Sequence, residues 1–264
     1  MSVPNQRINE AVRSALDALE NRFQVRVLYA CESGSRAWGF ASNDSDYDVR
    51  FLYAHPLDWY LSVDEKRDVI ELPLSAELDV NGWDLRKALR LLGKSNPALL
   101  EWLWSPVVYQ QEDRFLSSFR DLAETCFSPR RCYRHYLHMA AGQWRQYLVD
   151  RPRVRLKKYF YVFRAVLGCR WIERHERRVP VPFALLLDQV LEESDVRAEI
   201  DALLARKAAG EELAEADANP VLHRFVQDEL NRLESRSPVD AGPSQIELLD
   251  DFFRAQIREG MGCP

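Results

Sequence analysis

The pattern of apolar and polar positions predicts strands and helices interleaved over the first half of the chain. Apolar residues recur every three or four positions from residue 5 to about 22, the spacing of one helix face. Residues 24–30 form an apolar run typical of a buried strand, and 47–51 alternate between apolar and charged residues. Further strand segments are predicted at 68–72, at 78–83 and, as an edge strand, at 107–109. This order of elements predicts an α+β fold with a mixed β-sheet flanked by helices.

Beyond residue 127 nearly every segment has a helical pattern. Ser128 suits an N-cap and Pro129 a first helical position, so we place the domain boundary there and predict domains at 1–127 and 128–264. Helices are predicted at 130–150, 157–174, 183–191, 195–209 and 220–234, with a last one carrying Ile246, Leu249, Phe253 and Ile257. We therefore expect an all-α C-terminal domain.

Two acids stand on one face of the alternating strand. Successive strand residues point to opposite faces, so Asp46, Asp48 and Arg50 share a face that excludes Tyr47 and Val49. Two carboxylates at this spacing suit a hard divalent cation such as Mg²⁺. The plainer interpretation is a strand with solvated acids, and the Asp-x-Asp pattern alone favours it.

A turn of small residues precedes that strand. Gly34 and Ser35 follow the first apolar run, and a glycine there lets backbone N–H groups approach a phosphate. A helix that begins nearby would add its positive end. Residues 42–45 read as a second turn that returns the chain to the acidic strand. The predicted unit is a strand, a phosphate-cradling turn, a short helix, a turn and a metal-binding strand.

Charge is distributed unevenly. The chain of 264 residues has a net charge of −5, yet residues 128–178 carry 14 Lys and Arg against 3 Asp and Glu. A basic segment in an acidic protein suggests an anionic ligand, although solvated helix faces would give the same composition.

Cysteine usage and hydropathy indicate the compartment. The five cysteines are scattered without a Cys-x-x-Cys pair, which fits reduced thiols better than zinc or disulfides. No apolar run approaches the roughly 20 residues that span a bilayer, and the polar start lacks the features of a secretory signal. We expect a cytoplasmic protein without a membrane segment.

Segments 34–39, Gly-Ser-Arg-Ala-Trp-Gly, and 45–50, Ser-Asp-Tyr-Asp-Val-Arg, together resemble the nucleotidyltransferase superfamily of DNA polymerase β. Within it the chain is most similar to the predicted nucleotidyltransferases called the RNA repair pathway DNA polymerase beta family. The resemblance extends to 81–87, 96–97, 101–103 and 158–161, and so covers most of residues 25–185. It implies a nucleotidyltransferase fold for residues 1–127, with the helical domain following.

The resemblance also implies a third carboxylate on a neighbouring strand. Asp79 occupies that place, and in a strand it points away from Leu78 and Val80. Glu77 has the same parity and would replace Asp79 if the register differed. Asp84 is better explained as the N-cap of a helix that begins at residue 85. We favour Asp79.

The resemblance assigns roles to these residues. Asp46 and Asp48 would bridge Mg²⁺ or Mn²⁺ ions, and Asp79 would bind the ion that activates the acceptor hydroxyl. Gly34 and Ser35, helped by Ser45, would hold the triphosphate of an NTP such as ATP. The positive groups Arg36, Arg50 and Lys158 would neutralise phosphate charge, although Arg50 would equally serve as a structural partner for the two acids.

A basic and aromatic face is predicted on the helix at 157–174. Lys158, Tyr161 and Arg164 recur every three residues, and such a face binds phosphate by charge while a ring contacts a base. In the similar family this helix would face the nucleotide cleft. A helix with extended basic side chains in solvent would have the same pattern.

These observations favour a metal-dependent enzyme that transfers a nucleoside monophosphate from an NTP to a hydroxyl. An RNA end is the suggested acceptor; a protein hydroxyl, as in antitoxin-like relatives, and a small molecule stay open. The alternatives are a non-catalytic nucleotide- or RNA-binding regulator of the same fold and a metal-dependent phosphohydrolase. The sequence does not predict the oligomeric state.

Overall fold

The computed structural model describes residues 6–42, 45–72, 78–210, 215–236 and 245–259. Its strands are β1 (Arg26–Glu32), β2 (Tyr47–Ala54), β3 (Val69–Glu71), β4 (Leu78–Asp84), β5 (Val108–Gln111), β6 (Arg153–Arg155) and β7 (Glu215–Asp217). Its helices are α1 (Gln6–Phe23), α2 (Gly34–Trp38), α3 (Leu57–Tyr60), α4 (Leu85–Leu92), α5 (Pro97–Leu103), α6 (Asp113–Cys126), α7 (Pro129–Tyr147), α8 (Lys157–His175), α9 (Phe183–Val190), α10 (Ser194–Ala208), α11 (Pro220–Ser235) and α12 (Ile246–Glu259).

The chain forms two compact units. Among the described residues, the first unit comprises 6–37, 46–72, 78–127 and 245–259, and the second comprises 38–42, 45, 128–210 and 215–236. The predicted α+β class is confirmed, because the first unit holds a mixed five-stranded sheet flanked by helices. The division differs from the predicted domains in that α12 belongs to the first unit and 38–42 to the second.

The sheet of the first unit has the order β3-β4-β2-β1-β5. Strands β2 and β4 are parallel, and every other neighbouring pair is antiparallel. One face packs on α1, where the apolar stripe of Val12, Leu16 and Leu19 is buried against Val49 and Phe51. The predicted first helix and acidic strand therefore meet in a single core.

The other face of the sheet is covered in part by α5. The ring of Trp83 on β4 stacks on Trp102 at a centroid distance of 3.8 Å, and the hydroxyl of Tyr29 donates to the Trp102 carbonyl at 2.7 Å. Trp102 is therefore a packing residue.

Helix α12 returns to the first unit because its apolar face fits there. The ring of Phe252 lies 5.3 Å from Phe119 and 6.0 Å from Phe115 of α6, and Phe253 contacts Tyr60 at 4.9 Å. An amphipathic pattern predicts that a helix packs, but it does not identify the surface on which it packs.

The second unit is mainly helical, with a small sheet that the helical pattern did not predict. Strands β6 and β7 pair antiparallel and place Arg153 opposite Asp217 and Arg155 opposite Glu215. Three-residue strands are too short to show an alternating pattern, and opposite charges in register stabilise the pair. Across the described ranges, no helix is long and apolar enough to cross a membrane.

Candidate active site

Two carboxylates lie side by side on the sheet of the first unit. The parallel register of β2 and β4 places Asp48 directly opposite Asp79, and Val49 opposite Val80. Because the two valines point into the α1 core, the two acids point to the other face. Their side chains are 33% and 34% exposed, so they are half-buried but accessible.

Arg50 joins the two acids. Its Nη2 donates to Oδ1 of Asp48 and to Oδ2 of Asp79, both at 2.9 Å, and its Nη1 donates to the carbonyls of Val49 at 3.0 Å and Asp79 at 3.2 Å. This geometry supports the structural role that the sequence left open for Arg50. Burial raises the pKa of Asp48, the neighbouring Asp79 and Asp46 act in the same direction, and Arg50 opposes them.

The small-residue turn lies against Asp48. Gly34 has a φ of +60°, and a Cβ at this position would lie only 2.2 Å from Oδ2 of Asp48. The amide of Ser33 donates to the Asp48 carbonyl at 2.8 Å, which ties the turn to β2. A glycine is therefore required here by backbone conformation and by the proximity of the acid. Ser35 follows on α2 and is partly exposed.

Asp46 and Arg36 form the outer part of the site. Asp46 is exposed, and its backbone carbonyl accepts a hydrogen bond from Nε of Arg36 at 3.2 Å. The Arg36 guanidinium also lies 3.7 Å from the Tyr47 ring centroid, so Arg36 braces the start of β2. Ser45 belongs to the second unit, where its Oγ accepts from the Ser42 amide at 3.0 Å.

Glu32 is a candidate site residue that was not predicted from the sequence pattern. Its side chain is buried, with the residue 1% exposed, and its Oε1 accepts from the Asp48 amide at 2.8 Å while its Oε2 accepts from the Tyr109 hydroxyl. Burial raises the Glu32 pKa to about 7. The sequence contains one indication of this role, because Glu32 ends an otherwise apolar strand. An acid that is buried at such a position requires hydrogen-bond partners.

Asp48 and Asp79 are the donors that a divalent cation would meet in this site. Asp48 and Asp79 offer the hard oxygen ligands that Mg²⁺ prefers, on one face and in register. However, within the described part of the chain no three His, Cys, Asp or Glu side chains are grouped closely enough to hold a metal. The donor types therefore fit Mg²⁺ with two carboxylates, and the Nη2 of Arg50 would have to move to admit the ion.

The rivals of Asp79 have different positions. Asp84 is fully buried and caps α4, where its Oδ1 accepts from the Arg86 amide at 2.8 Å and its Oδ2 accepts from the Tyr60 hydroxyl at 2.6 Å. The N-cap interpretation of Asp84 is therefore correct. Glu77 lies outside the described residues.

The predicted basic face lies in the second unit, and two of its three predicted residues, Lys158 and Tyr161, are at least partly exposed. Lys158 lies with its Nζ 5.5 Å from the Tyr161 ring centroid, and Tyr161 is 42% exposed. Arg164 lies on the same side of α8, with its guanidinium 4.8 Å from the Trp38 ring that Tyr161 also contacts. It is, however, only 2% exposed, and it donates to the carbonyls of Val181 at 2.8 Å and Pro180 at 3.2 Å. Carbonyls distant in sequence hold Arg164, which helical spacing does not show. The nucleotide contacts of Lys158 and Tyr161 stay a prediction.

Comparisons of sequence and of structure show which known proteins this chain is similar to. A sequence model of the RNA repair pathway DNA polymerase beta family matches residues 8–255. The uncharacterized protein YcgL of Bacillus subtilis (strain 168) is 43% identical over 226 residues, which cover 86% of this chain and 86% of that protein. A solved nucleotidyltransferase-like protein from Exiguobacterium sibiricum 255-15 is 13% identical, with a TM-score of 0.33, over 96% of this chain and 80% of that one. The family match includes both units.

Proposed function

The chain belongs to the RNA repair pathway DNA polymerase beta family, and from that premise we propose that it is a metal-dependent nucleotidyltransferase. It would transfer a nucleoside monophosphate from an NTP to a hydroxyl acceptor. The observation that carries the proposal is the pairing of Asp48 and Asp79 in register on parallel strands, with Gly34 directly against Asp48. Paired carboxylates beside an accessible backbone turn suit a nucleotide bound through a divalent cation.

The proposed roles follow from these positions. Asp48 and Asp79 would hold Mg²⁺ or Mn²⁺, with water and phosphate oxygens completing the shell. The bound metal would supply Lewis-acid stabilisation of charge on the transferred phosphoryl group. The turn at Gly34 and Ser35 would accept the triphosphate through backbone N–H groups, and Glu32 would hold the Asp48 backbone in place through its amide.

An RNA end is the acceptor we favour, because of the family description and the basic composition of residues 128–178. One observation favours a second candidate, a non-catalytic nucleotide-binding regulator. Arg50 already neutralises both acids, and a protein that never binds a metal would keep this ion pair.

A label-transfer assay tests the proposal. The protein is incubated with each α-labelled NTP, with Mg²⁺ or Mn²⁺, and with pools of RNA, protein or small-molecule acceptors. We expect label on an acceptor with the wild type and with Asp121→Asn, a matched control whose acid is exposed on α6, but not with Asp48→Asn. Nucleotide binding without label transfer under any condition would favour the regulator, and release of free phosphate without an acceptor would favour a phosphohydrolase.

A further inference from the structure

Three lysines and four aromatic rings form a continuous patch in the second unit, which we call the basic-aromatic patch. Its members are Trp38, Phe40, Tyr147, Lys157, Lys158, Tyr161 and Lys207. The Nζ of Lys158 lies 3.6 Å from the Tyr147 ring centroid and 5.5 Å from that of Tyr161. At one end of the patch, the ammonium group of Lys158 therefore contacts two tyrosine rings.

The aromatic rings continue the patch to a second cation. Tyr161 contacts Trp38 at a centroid distance of 5.5 Å, and Trp38 contacts Phe40 at 5.7 Å. The Nζ of Lys207 lies 5.6 Å from the Phe40 ring centroid. Phe40 also packs on Phe160 at 4.9 Å, which anchors the row of rings to α8.

No acid in the described part of the chain pairs with a lysine of the patch. Within the described ranges, no carboxylate lies within ion-pairing distance of Lys157, Lys158 or Lys207. Elsewhere on α8 the cations are paired: Arg170 contacts Glu193 at 2.9 Å and Glu229 at 2.6 Å. Among the described residues, the two lysines in the first turn of α8 and their neighbour Lys207 therefore carry charge that no carboxylate compensates.

The local electrostatics oppose this arrangement. Lys157 and Lys158 occupy the first turn of α8, which contains no acidic residue, and cations are unfavourable at the positive end of a helix. Burial lowers the pKa of Lys207, and the nearby Lys157 lowers it further. Lys157 and Lys207 repel each other, and no described carboxylate pairs with either of them, so an external anion would stabilise this cluster of lysines.

The rings indicate the nature of that anion. Tyr161 is 42% exposed beside Lys158, so a base can contact its ring while the lysines bind phosphates. A base inside a duplex is not available for such stacking. We propose that the basic-aromatic patch binds a single-stranded nucleic acid, which would be the acceptor strand of the transferase. The identity of that strand as an acceptor rests on the proposed function, whereas its binding does not.

Fluorescence anisotropy with the full chain and no NTP tests this proposal. The probes are a labelled oligouridine, an oligodeoxythymidine of equal length and a double-stranded RNA. The triple variant Lys157→Gln, Lys158→Gln and Lys207→Gln should weaken binding of the single strands about a hundredfold at about 0.1 M salt. It should also reduce the slope of log affinity against log salt by about 2, because each phosphate contact contributes about 0.7 to that slope.

A matched control removes the same charge from the same unit. Arg177→Gln, Arg224→Gln and Arg236→Gln together change three exposed arginines away from the patch, and should alter single-strand affinity by less than about threefold. Equal weakening by both triple variants would show attraction to net charge and overturn the proposal. Circular dichroism and the urea midpoint confirm that each variant is folded.

The ring has a separate test. Tyr161→Ala should weaken binding of single strands about tenfold and leave duplex binding unchanged, whereas Tyr161→Phe should retain single-strand binding. Comparable RNA and DNA affinity identifies single strands in general as the ligand; a preference for RNA narrows it to RNA. Displacement of the oligomer by free NTP at stoichiometric concentration would instead make the patch a nucleotide site and overturn the proposal.

The outcomes for binding and for catalysis are separable. Strand binding is measured without NTP and label transfer with it, so either can fail while the other persists. Absence of wild-type binding with label transfer intact would refute the patch and leave the transferase. Binding without label transfer would refute the transferase and leave the patch.

Discussion

Substitution of Gly34 by alanine tests whether the turn and Asp48 form a single site. The change has two costs. First, a φ of +60° is unfavourable for any residue with a Cβ, by about 1–2 kcal/mol. Second, the new Cβ would lie 2.2 Å from Oδ2 of Asp48, so the carboxylate must shift from the position in which its Oδ1 accepts from Arg50 at 2.9 Å. Overpacking of this kind adds about 1–3 kcal/mol.

Gly210 provides the matched control. Its φ is +78°, and a Cβ there would meet no atom within 4 Å, so Gly210→Ala carries the backbone cost without the collision. Urea denaturation of both variants should therefore show a larger loss of unfolding free energy for Gly34→Ala, by about 1–3 kcal/mol. Label transfer should be lost in Gly34→Ala and retained in Gly210→Ala. Equal destabilisation with transfer intact in both variants would refute the argument that Gly34 is required by the acid.

Three further substitutions have defined outcomes. Glu32→Ala leaves the Asp48 amide and the Tyr109 hydroxyl without their acceptor, so urea denaturation should show a loss of about 2–5 kcal/mol, whereas Glu32→Gln should change stability by less than about 1 kcal/mol. Arg50→Gln removes the cation that competes with a metal, so Mg²⁺ should raise the melting temperature more in this variant than in the wild type; an equal shift would contradict metal binding at the acids. Burial lowers the His55 pKa from 6.5 to about 4. Between pH 6.5 and about 4 the unfolded chain therefore binds a proton that the folded chain does not, so the free energy of unfolding should fall as the pH drops through this range. Denaturation midpoints measured across this range should not show that fall in His55→Phe.

The features that the sequence predicted depend on neighbouring residues. The alternation from Tyr47 to Phe51 fixes which side chains share a face, and this parity placed Asp48 and Arg50 correctly. The caps at Asp84 and Ser128 were also predicted, because each accepts from an amide only two or three residues ahead. Such local rules predicted which residues of β2 share a face, and they predicted most of the helices.

The features that were missed depend on segments far apart in the chain. Glu32 and Tyr109 are 77 positions apart, and only the completed sheet brings them together behind Asp48. The burial of Arg164 likewise depends on carbonyls 16 and 17 positions away. Spacing along one element carries no information about such partners, so their roles could be assigned only from the structure.

Helix α12 has a consequence for how the chain folds during synthesis. Leu249 and Ile257 are buried in the first unit, yet they leave the ribosome after the whole second unit has been made. The first unit therefore cannot complete its core before the second unit has been synthesised. Until then the rings of Phe115 and Phe119 lack their contact with Phe252. We expect a chain that stops before α12 to expose this surface and to depend on chaperones, even though every residue of the acidic site is already present.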